Sequence, residues 1–371
     1  MTRTRVSVLT ELGREAPYAA SRPLEVTEVT LDPPGPGELL VRIGAAGLCH
    51  SDLSVINGSR VRPLPMALGH EAAGEVVEAG EGAEFAVGDR VVLAFVPACG
   101  RCPRCRSGRP ALCVPGAAAN GAGTLLGGGR RIDGGRINHH LGVSAFSDYA
   151  VVSQQSAVKV DSDLPFEIAA LFGCAVLTGA GAALHSAQVA PADSVAVFGL
   201  GGVGLSALLA AKALGAETIV AIDVVPAKLE LARELGATHT VAGGPDAVAE
   251  LKEITGGGAD KVIETAGVVP VLRQAYDAAA PGGTTVTVGL PAPGRELALP
   301  ALSLVAEEKT LRGSYLGSCA PRRDVPRFIE MYREGVLPVD RLLTGTLPLE
   351  EVNAGFDRLH TGEAVRQVVL F

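Results

Sequence analysis

Ser194-Val-Ala-Val-Phe198 runs directly into Gly199-Leu-Gly201-Gly-Val-Gly204, and the next ten residues to Leu214 put Leu205, Leu208 and Leu209 on one helical face. A short apolar strand, a turn of spaced glycines and a helix form the opening of a parallel α/β unit. Each glycine has a task in that setting. Gly199 permits the tight turn, Gly201 lets a pyrophosphate approach the backbone, and Gly204 lets helix and strand pack closely. Gly202 and Val203 begin the helix whose N-terminus would face the phosphates. Spaced glycines alone mean little in a chain with 47 of them. The strand before them and the helix after them carry the reading.

Downstream, Thr218–Ile222 reads as a second strand, and Asp223 ends it 19 residues after Gly204. A carboxylate there accepts bonds from adenosine ribose hydroxyls and repels a 2′-phosphate. Val224 and Val225 offer no arginine for that phosphate, so NAD(H) is expected rather than NADP(H), with Lys228 adding a ribose contact. Pro226 opens a helix that Gly236 stops after Leu235. Lys261–Glu264 and Thr284–Gly289 read as further strands around a helix near Val271–Ala279. Upstream the period changes. Leu24–Leu31, Leu39–Ile43, Gly74–Glu78, Arg90–Phe95 and Phe146–Val152 read as short strands punctuated by Gly and Pro. Gly116–Gly135 reads as a long surface loop, and Gln367–Phe371 as a closing strand.

The 371 residues suit two domains, or three at most. A hydrophobic fraction of 47% with 19% charged residues excludes a disordered chain. The net charge of −8, with 32 basic residues scattered along the chain, argues against a nucleic-acid partner. No apolar run is long enough for a membrane span, and Met1–Leu12 has no secretory pattern. A soluble cytoplasmic protein is the expectation.

Seven cysteines, an odd number, argue against a disulfide framework. Four of them fall in Cys99-x2-Cys102-x2-Cys105-x7-Cys113, among Gly100, Pro103 and Gly108, which favour turns, and Arg101, Arg104 and Arg106, which offset thiolate charge. Four thiolates satisfy tetrahedral zinc and leave no open position, which describes a structural site. An iron–sulfur cluster has compatible spacing. Cys49, His70 and Cys174, each taken alone, read as ordinary core residues, as does Cys319.

Taken in order, Gly47-Leu-Cys-His-Ser-Asp52, Gly69-His-Glu71, the four-cysteine lobe, Phe172-Gly-Cys174 with Thr178-Gly179, the glycine loop and Asp223 make the chain resemble the zinc-dependent medium-chain alcohol dehydrogenases. The resemblance covers about Leu24 to Phe371. The glycine-rich stretch after Cys113, then His139-His140-Leu-Gly142 and Phe146-Ser147, looks like the longer, typically dimeric branch, so a homodimer is implied. The resemblance implies an α/β protein with a GroES-like, β-rich catalytic domain (1–175, carrying the zinc lobe 99–113) and a Rossmann coenzyme domain with a doubly wound parallel sheet (176–316). A C-terminal segment (317–371) would complete the catalytic domain, and the active site would lie in the cleft between the two domains.

It further implies two zinc ions per chain and NAD(H). Cys49, His70 and Cys174 would be the catalytic zinc ligands, leaving a fourth position for water or alcohol, and hydride would pass between substrate carbon and nicotinamide. Ser51 matches the hydroxyl that takes the alcohol proton, Asp52 the carboxylate that orients the zinc histidine, and Glu71 the acid behind the metal. His50 and Arg366 match pyrophosphate contacts. Thr178, Val203 and Leu290 would lie along the coenzyme, with Leu290, Phe95 and Tyr315 as pocket walls. Two departures stand out. Ser54 stands where some relatives carry a histidine that extends the proton relay. Arg60 and Val114-Pro-Gly-Ala117 stand where the glutathione-dependent branch carries its acidic and arginine residues, which disfavours a glutathione adduct.

The function implied is hydride transfer between a small-molecule alcohol or aldehyde (or ketone) and NAD(H). A biosynthetic reductase of C=N or conjugated C=C bonds on the same scaffold is the alternative, and an enzyme that never releases its NAD is a variant. A non-catalytic binding relative is a third reading, opposed by the complete set of Cys49, His70, Cys174 and Ser51.

Overall fold

The computed structural model describes residues 1–161 and 163–371. Its strands, in chain order, are β1 (Thr2–Leu9), β2 (Leu24–Leu31), β3 (Glu38–Gly47), β4 (Met66–Ala67), β5 (Ala72–Ala79), β6 (Arg90–Leu93), β7 (Asn138–His139), β8 (Tyr149–Ser153), β9 (Ala157–Val160), β10 (Ser194–Phe198), β11 (Thr218–Asp223), β12 (His239–Ala242), β13 (Ala259–Glu264), β14 (Ala279–Thr287), β15 (Thr310–Gly313), β16 (Leu343–Leu347) and β17 (Arg366–Leu370). They belong to two compact units. One is Met1–Cys174 with Ala320–Pro326 and Leu343–Phe371; the other is Ala175–Cys319 with Arg327–Leu342. The sequence places the whole segment 317–371 with the first unit, but 317–319 and Arg327–Leu342 pack with the second.

In the first unit a sheet runs β16-β17-β3-β5-β6-β9, with β8 also on β3, and a smaller one runs β2-β1-β4-β7. β1 pairs antiparallel with β2 from Thr2↔Leu31 to Leu9↔Leu24. Leu9, Leu24, Val41, Ile43, Leu53, Phe146 and Phe356 are buried in one cluster. Each such side chain contributes about 1.5–3 kcal/mol through burial. This core fixes the segments that leave it. β3 delivers Leu48–Cys49 and then the helix His50–Ile56, and the short connection from β4 to β5 carries Gly69-His70-Glu71.

The second unit holds a six-stranded parallel sheet in the order β12-β11-β10-β13-β14-β15. Strand order reverses at β10, which leaves a crevice at its carboxyl end where the glycine loop sits. β10 and β11 are apolar along nearly their whole length because both sheet faces are covered; Ala196, Phe198, Val220 and Ile222 are buried together with Leu251 and Ala275.

Within the two units the structure also departs from the sequence reading. Gly116–Ala122, expected within a loop, belongs to the helix Val114–Ala122: Pro115 lies in its first turn, alanines fill it, and Cys113 Sγ accepts the Gly116 N–H as a cap. The strand expected at Arg90–Phe95 ends at Leu93, freeing Phe95 to turn inward. β12 and the helix Ala247–Thr255 were not anticipated, because His239–Ala242 is short and lies at the sheet edge. Among the described residues no single helix is long and apolar enough to cross a membrane.

Candidate metal and coenzyme sites

The ligand atoms of Cys49, His70 and Cys174 lie within 4.8 Å of one another, and all three residues are buried. Three distant segments bring them there: the end of β3, the β4–β5 connection and the short helical turn before Cys174. Gly69 makes this possible for His70. Its φ is +90°, and a Cβ there would press on the backbone of Ala145 and Phe146. His70 Nδ1 lies 2.8 Å from Asp52 Oδ2. Its Nε2 is buried as well. A buried ring nitrogen beside two thiols, with the opposite nitrogen held by a carboxylate, is the donor set of a Cys2His zinc site with one open position.

The electrostatics agree. The Cys49 thiol is held well below its ordinary value by Cys174, with His70 and Arg366 adding to the effect against the push of burial. Burial opposes charge on His70, yet Asp52 and Cys49 push it up to about 10. Two sulfurs and a ring nitrogen this close together, with the Cys49 thiol held toward its thiolate, would suit a cation. Phe95 packs edge-on to the His70 ring at 5.7 Å and is almost fully buried.

The remaining expected residues of this unit lie around that cluster. Asp52 is fully buried, and its Oδ1 accepts the Gly69 N–H at 3.0 Å. Ser51 is half-buried in the first turn of the helix His50–Ile56, and His50 is exposed beside it. Glu71 is ion-paired with Arg366, and both are buried. The Arg366 guanidinium, expected on a pyrophosphate, is thus turned onto Glu71 next to Cys49. Ser54 Oγ donates to the His50 carbonyl at 2.7 Å. Sequence reasoning missed a role for His140, whose Nδ1 lies 2.9 Å from Asp52 Oδ1. A histidine pair in an otherwise unremarkable stretch carried no spacing signal for it.

Cys99, Cys102, Cys105 and Cys113 form a second cluster with sulfurs within 4.8 Å of one another. Cys102 and Cys105 Sγ are 3.5 Å apart, close to the roughly 3.8 Å edge of a tetrahedron with 2.3 Å zinc–sulfur bonds. The backbone at Cys105 holds Cys102 down to about 6, while burial and Cys102 push Cys105 up to about 12. Four thiolates in this space need a cation to coexist. None of the seven cysteines is in a disulfide.

In the second unit, Gly199 has φ +89°, and a Cβ at Gly204 would collide with the Gly199 carbonyl. A Cβ at Gly201 would meet nothing within 4 Å, which is the open space a pyrophosphate needs. Gly201 caps the helix Gly202–Ala213 without a side chain, so its first-turn N–H groups are available to an anion. Asp223 Oδ2 accepts the Leu200 N–H at 2.6 Å, and Oδ1 accepts the Val225 N–H at 2.9 Å. The carboxylate therefore ties the glycine loop to the next turn while keeping lone pairs for further donors. Val224 is exposed and Lys228 half-buried. Thr178 is buried with an unpartnered Oγ1 among the described residues, on the helix Ala175–Gly181, where Gly179 packs directly on the Val203 carbonyl. Leu290 and Tyr315 are exposed.

Two family profiles match the chain: "Alcohol dehydrogenase GroES-like domain" over residues 35–162 and "Zinc-binding dehydrogenase" over residues 202–334. The chain is 41% identical to the geraniol dehydrogenase of Castellaniella defragrans, covering 94% of this chain and 95% of that one. It is 38% identical to the alcohol dehydrogenase class-3 of Cereibacter sphaeroides over the whole of both chains. The benzyl alcohol dehydrogenase structure of Acinetobacter calcoaceticus superposes with a TM-score of 0.93 at 34% identity, covering all of both chains. With its GroES-like unit, its parallel coenzyme-type sheet and these relatives, the chain belongs to the zinc-dependent medium-chain alcohol dehydrogenase family and is an alcohol oxidoreductase.

Proposed function

We propose that the protein interconverts apolar primary or secondary alcohols with their aldehydes or ketones, using NAD(H) as the hydride partner. The observation that carries the reading is the buried Cys49–His70–Cys174 set, with its ligand atoms within 4.8 Å of one another. These residues would hold a zinc ion, which when bound supplies Lewis acidity to a hydroxyl or carbonyl oxygen. A second zinc would occupy the four-cysteine lobe.

The chain's own residues then have defined tasks. Asp52 holds a proton on His70 Nδ1 and so keeps Nε2 as the ligating atom. Ser51 Oγ takes the proton of the alcohol and passes it outward; Ser54, already committed to the His50 carbonyl, extends that path poorly. Glu71 and Arg366 place a neutralised pair behind Cys49. Phe95 gives the substrate an apolar wall. In the unit from Ala175, which we take as the coenzyme domain, Gly199 to Gly204 would cradle the pyrophosphate. Asp223 and Lys228 would bind the adenosine ribose, and Thr178, Val203 and Leu290 would lie along the nicotinamide. Tyr315 would add to the pocket. The Asp223 carboxylate favours NAD over NADP, since a 2′-phosphate beside it is repelled.

The relatives named for geraniol and benzyl alcohol support an apolar alcohol. The intact ligand set and these relatives do not favour a C=N or C=C reductase. A homodimer is supported by β15, an edge strand with β14 as its sheet neighbour, and by the exposed Leu302 and Val305 on the helix before it. A second copy adding at that edge would cover both. Seven cysteines outside any disulfide suit the reducing cytoplasm. The test is an alcohol panel containing benzyl alcohol, geraniol and S-(hydroxymethyl)glutathione, with NAD⁺ and NADP⁺ compared on each. We expect NADH formation with the first two. Equal use of NADP⁺, or activity confined to the glutathione adduct, would overturn the coenzyme or the substrate assignment respectively.

A further inference from the structure

Asp52 is buried between two imidazoles. Its Oδ2 faces His70 Nδ1 at 2.8 Å, and its Oδ1 faces His140 Nδ1 at 2.9 Å while also accepting the Gly69 N–H. His140 enters from a distant segment. β7 pairs parallel with β4, placing Asn138 opposite Met66 and His139 opposite Ala67. Past β7 the chain turns tightly, with Leu141, Gly142 and Ser144 all at positive φ. Ser144 Oγ closes the turn: it accepts the His140 N–H at 2.9 Å and donates to the Ala67 carbonyl at 2.9 Å. The imidazole of His140 is therefore fixed against the same strand that delivers His70, and the two rings meet edge-on at 5.6 Å.

Asp52, His70 and His140 could themselves be read as a metal cage. The distances argue otherwise. Ligands at about 2.0–2.1 Å around a tetrahedral ion stand roughly 3.3–3.4 Å apart, whereas the contacts here are 2.8 and 2.9 Å, the length of charge-assisted hydrogen bonds. A carboxylate with one imidazole on it can rotate; with an imidazole on each oxygen and a backbone N–H besides, it cannot.

We propose that His140 is a positioning residue for the metal centre: it locks the Asp52 carboxylate so that Oδ2 stays on His70 Nδ1 and His70 Nε2 stays aimed at the space between Cys49 and Cys174. This rests on the zinc assignment proposed above. His140 touches neither substrate nor metal; it acts through Asp52 and His70. Without its donor, Oδ1 would be left under-bonded in a dry site, and the His70 ring would lose its fixed orientation.

The test uses the zinc-loaded holoenzyme and two substitutions. His140→Leu removes the donor at similar volume, and His140→Asn returns an N–H donor near the position of Nδ1. Zinc release to a chelator is followed in two phases, one for each cluster, together with the thiolate-to-metal absorption of cobalt-substituted protein. The Leu variant is expected to release the Cys49–His70–Cys174 metal roughly 10-fold faster, or more, and to show altered cobalt bands. The Asn variant is expected to restore both, and the lobe metal to leave at the wild-type rate throughout. A folded Leu variant with wild-type release and bands would overturn the proposal. If that variant does not fold, the imidazole N–H of His140 in wild-type protein decides. It should give a downfield, exchange-protected proton resonance that His140→Asn abolishes, and its absence from wild type would overturn the proposal. A wild-type protein that holds metal only in the lobe would show itself before any substitution; it would sink the zinc assignment, and this proposal with it.

Discussion

The two cysteine clusters are built on opposite plans. In the lobe, four thiols come from 15 consecutive residues, Cys99 to Cys113, three of them half-exposed, and backbone N–H groups at Cys99 and Gly116 point at Cys113 Sγ. At Cys49, His70 and Cys174, three ligands come from three distant segments, all buried, and a network of side chains stands behind them: Asp52, His140, Glu71 and Arg366. The first arrangement would close a metal's coordination sphere using local chain geometry alone. The second would leave a position open and would need the rest of the fold to hold three ligands steady. A site that must retain metal can be local, whereas a site that must exchange a ligand during turnover draws its rigidity from outside itself.

The sharpest way to break that contrast is to remove one ligand from each cluster. Cys174→Ala should leave one zinc per chain and cut alcohol oxidation by about 10³-fold or more, the scale on which loss of a Lewis acid acts. Its thermal unfolding should stay near that of the parent, because the fold does not depend on that ion; a steady-state rate comparison and a melting curve check both parts. Cys105→Ala should do the reverse, losing the lobe metal and several degrees of thermal stability while the remaining folded protein keeps most of its activity. If both variants lost activity and stability equally, the division of labour would be wrong.

How much of this was legible beforehand differs between the two sites for the same physical reason. The lobe could be read from spacing alone, because Cys-x2-Cys-x2-Cys brings thiols together with little help from the rest of the chain. Cys49, His70 and Cys174 had no reading from spacing; only the order of motifs along the chain, matched to a family, picked them out. The glycine loop and the β10–β11 strands were legible because buried parallel strands leave unbroken apolar runs. The helix Val114–Ala122 was hidden by Gly116 and Gly121. The structure shows that Gly116 is there because a side chain would strike the Pro97 carbonyl, not because the segment is a loop. His140 was hidden because its partner, Asp52, is 88 residues away in sequence and next to it in space.

Smaller effects refine the picture. Asp223→Gly removes both the proposed ribose acceptor and the tie to the Leu200 N–H. KM for NAD⁺ should rise roughly tenfold, the worth of about 1.4 kcal/mol of lost interaction, with the NADP⁺ to NAD⁺ preference moving upward; an unchanged preference would remove Asp223 from coenzyme choice. Ser54→His should speed alcohol oxidation a few-fold near pH 7 by giving the proton a titrating exit, measured as a pH–rate profile against the parent. The smallest effect lies far from turnover. His139 is buried and held neutral, its pKa pressed down to about 3 by burial and by Arg130 and Arg131, while an unfolded chain would bind that proton near 6.5. The unfolded state therefore gains a proton first, so the stability from neutral His139 is present above about 6.5 and is lost as pH falls from there toward 3. His139→Gln should flatten the fall of melting temperature across that window, and an unchanged slope would speak against it.

The central claim is that one ion supports turnover and the other supports the lobe. Metal analysis of the purified wild-type chain, before and after mild chelation and with alcohol-dependent NAD⁺ reduction followed on the same samples, tests it most directly. The account predicts two zinc ions per chain, with activity disappearing as the Cys49–His70–Cys174 ion leaves and returning when zinc is added back. A chain that carries zinc only in the lobe and still oxidises alcohol at full rate would contradict it.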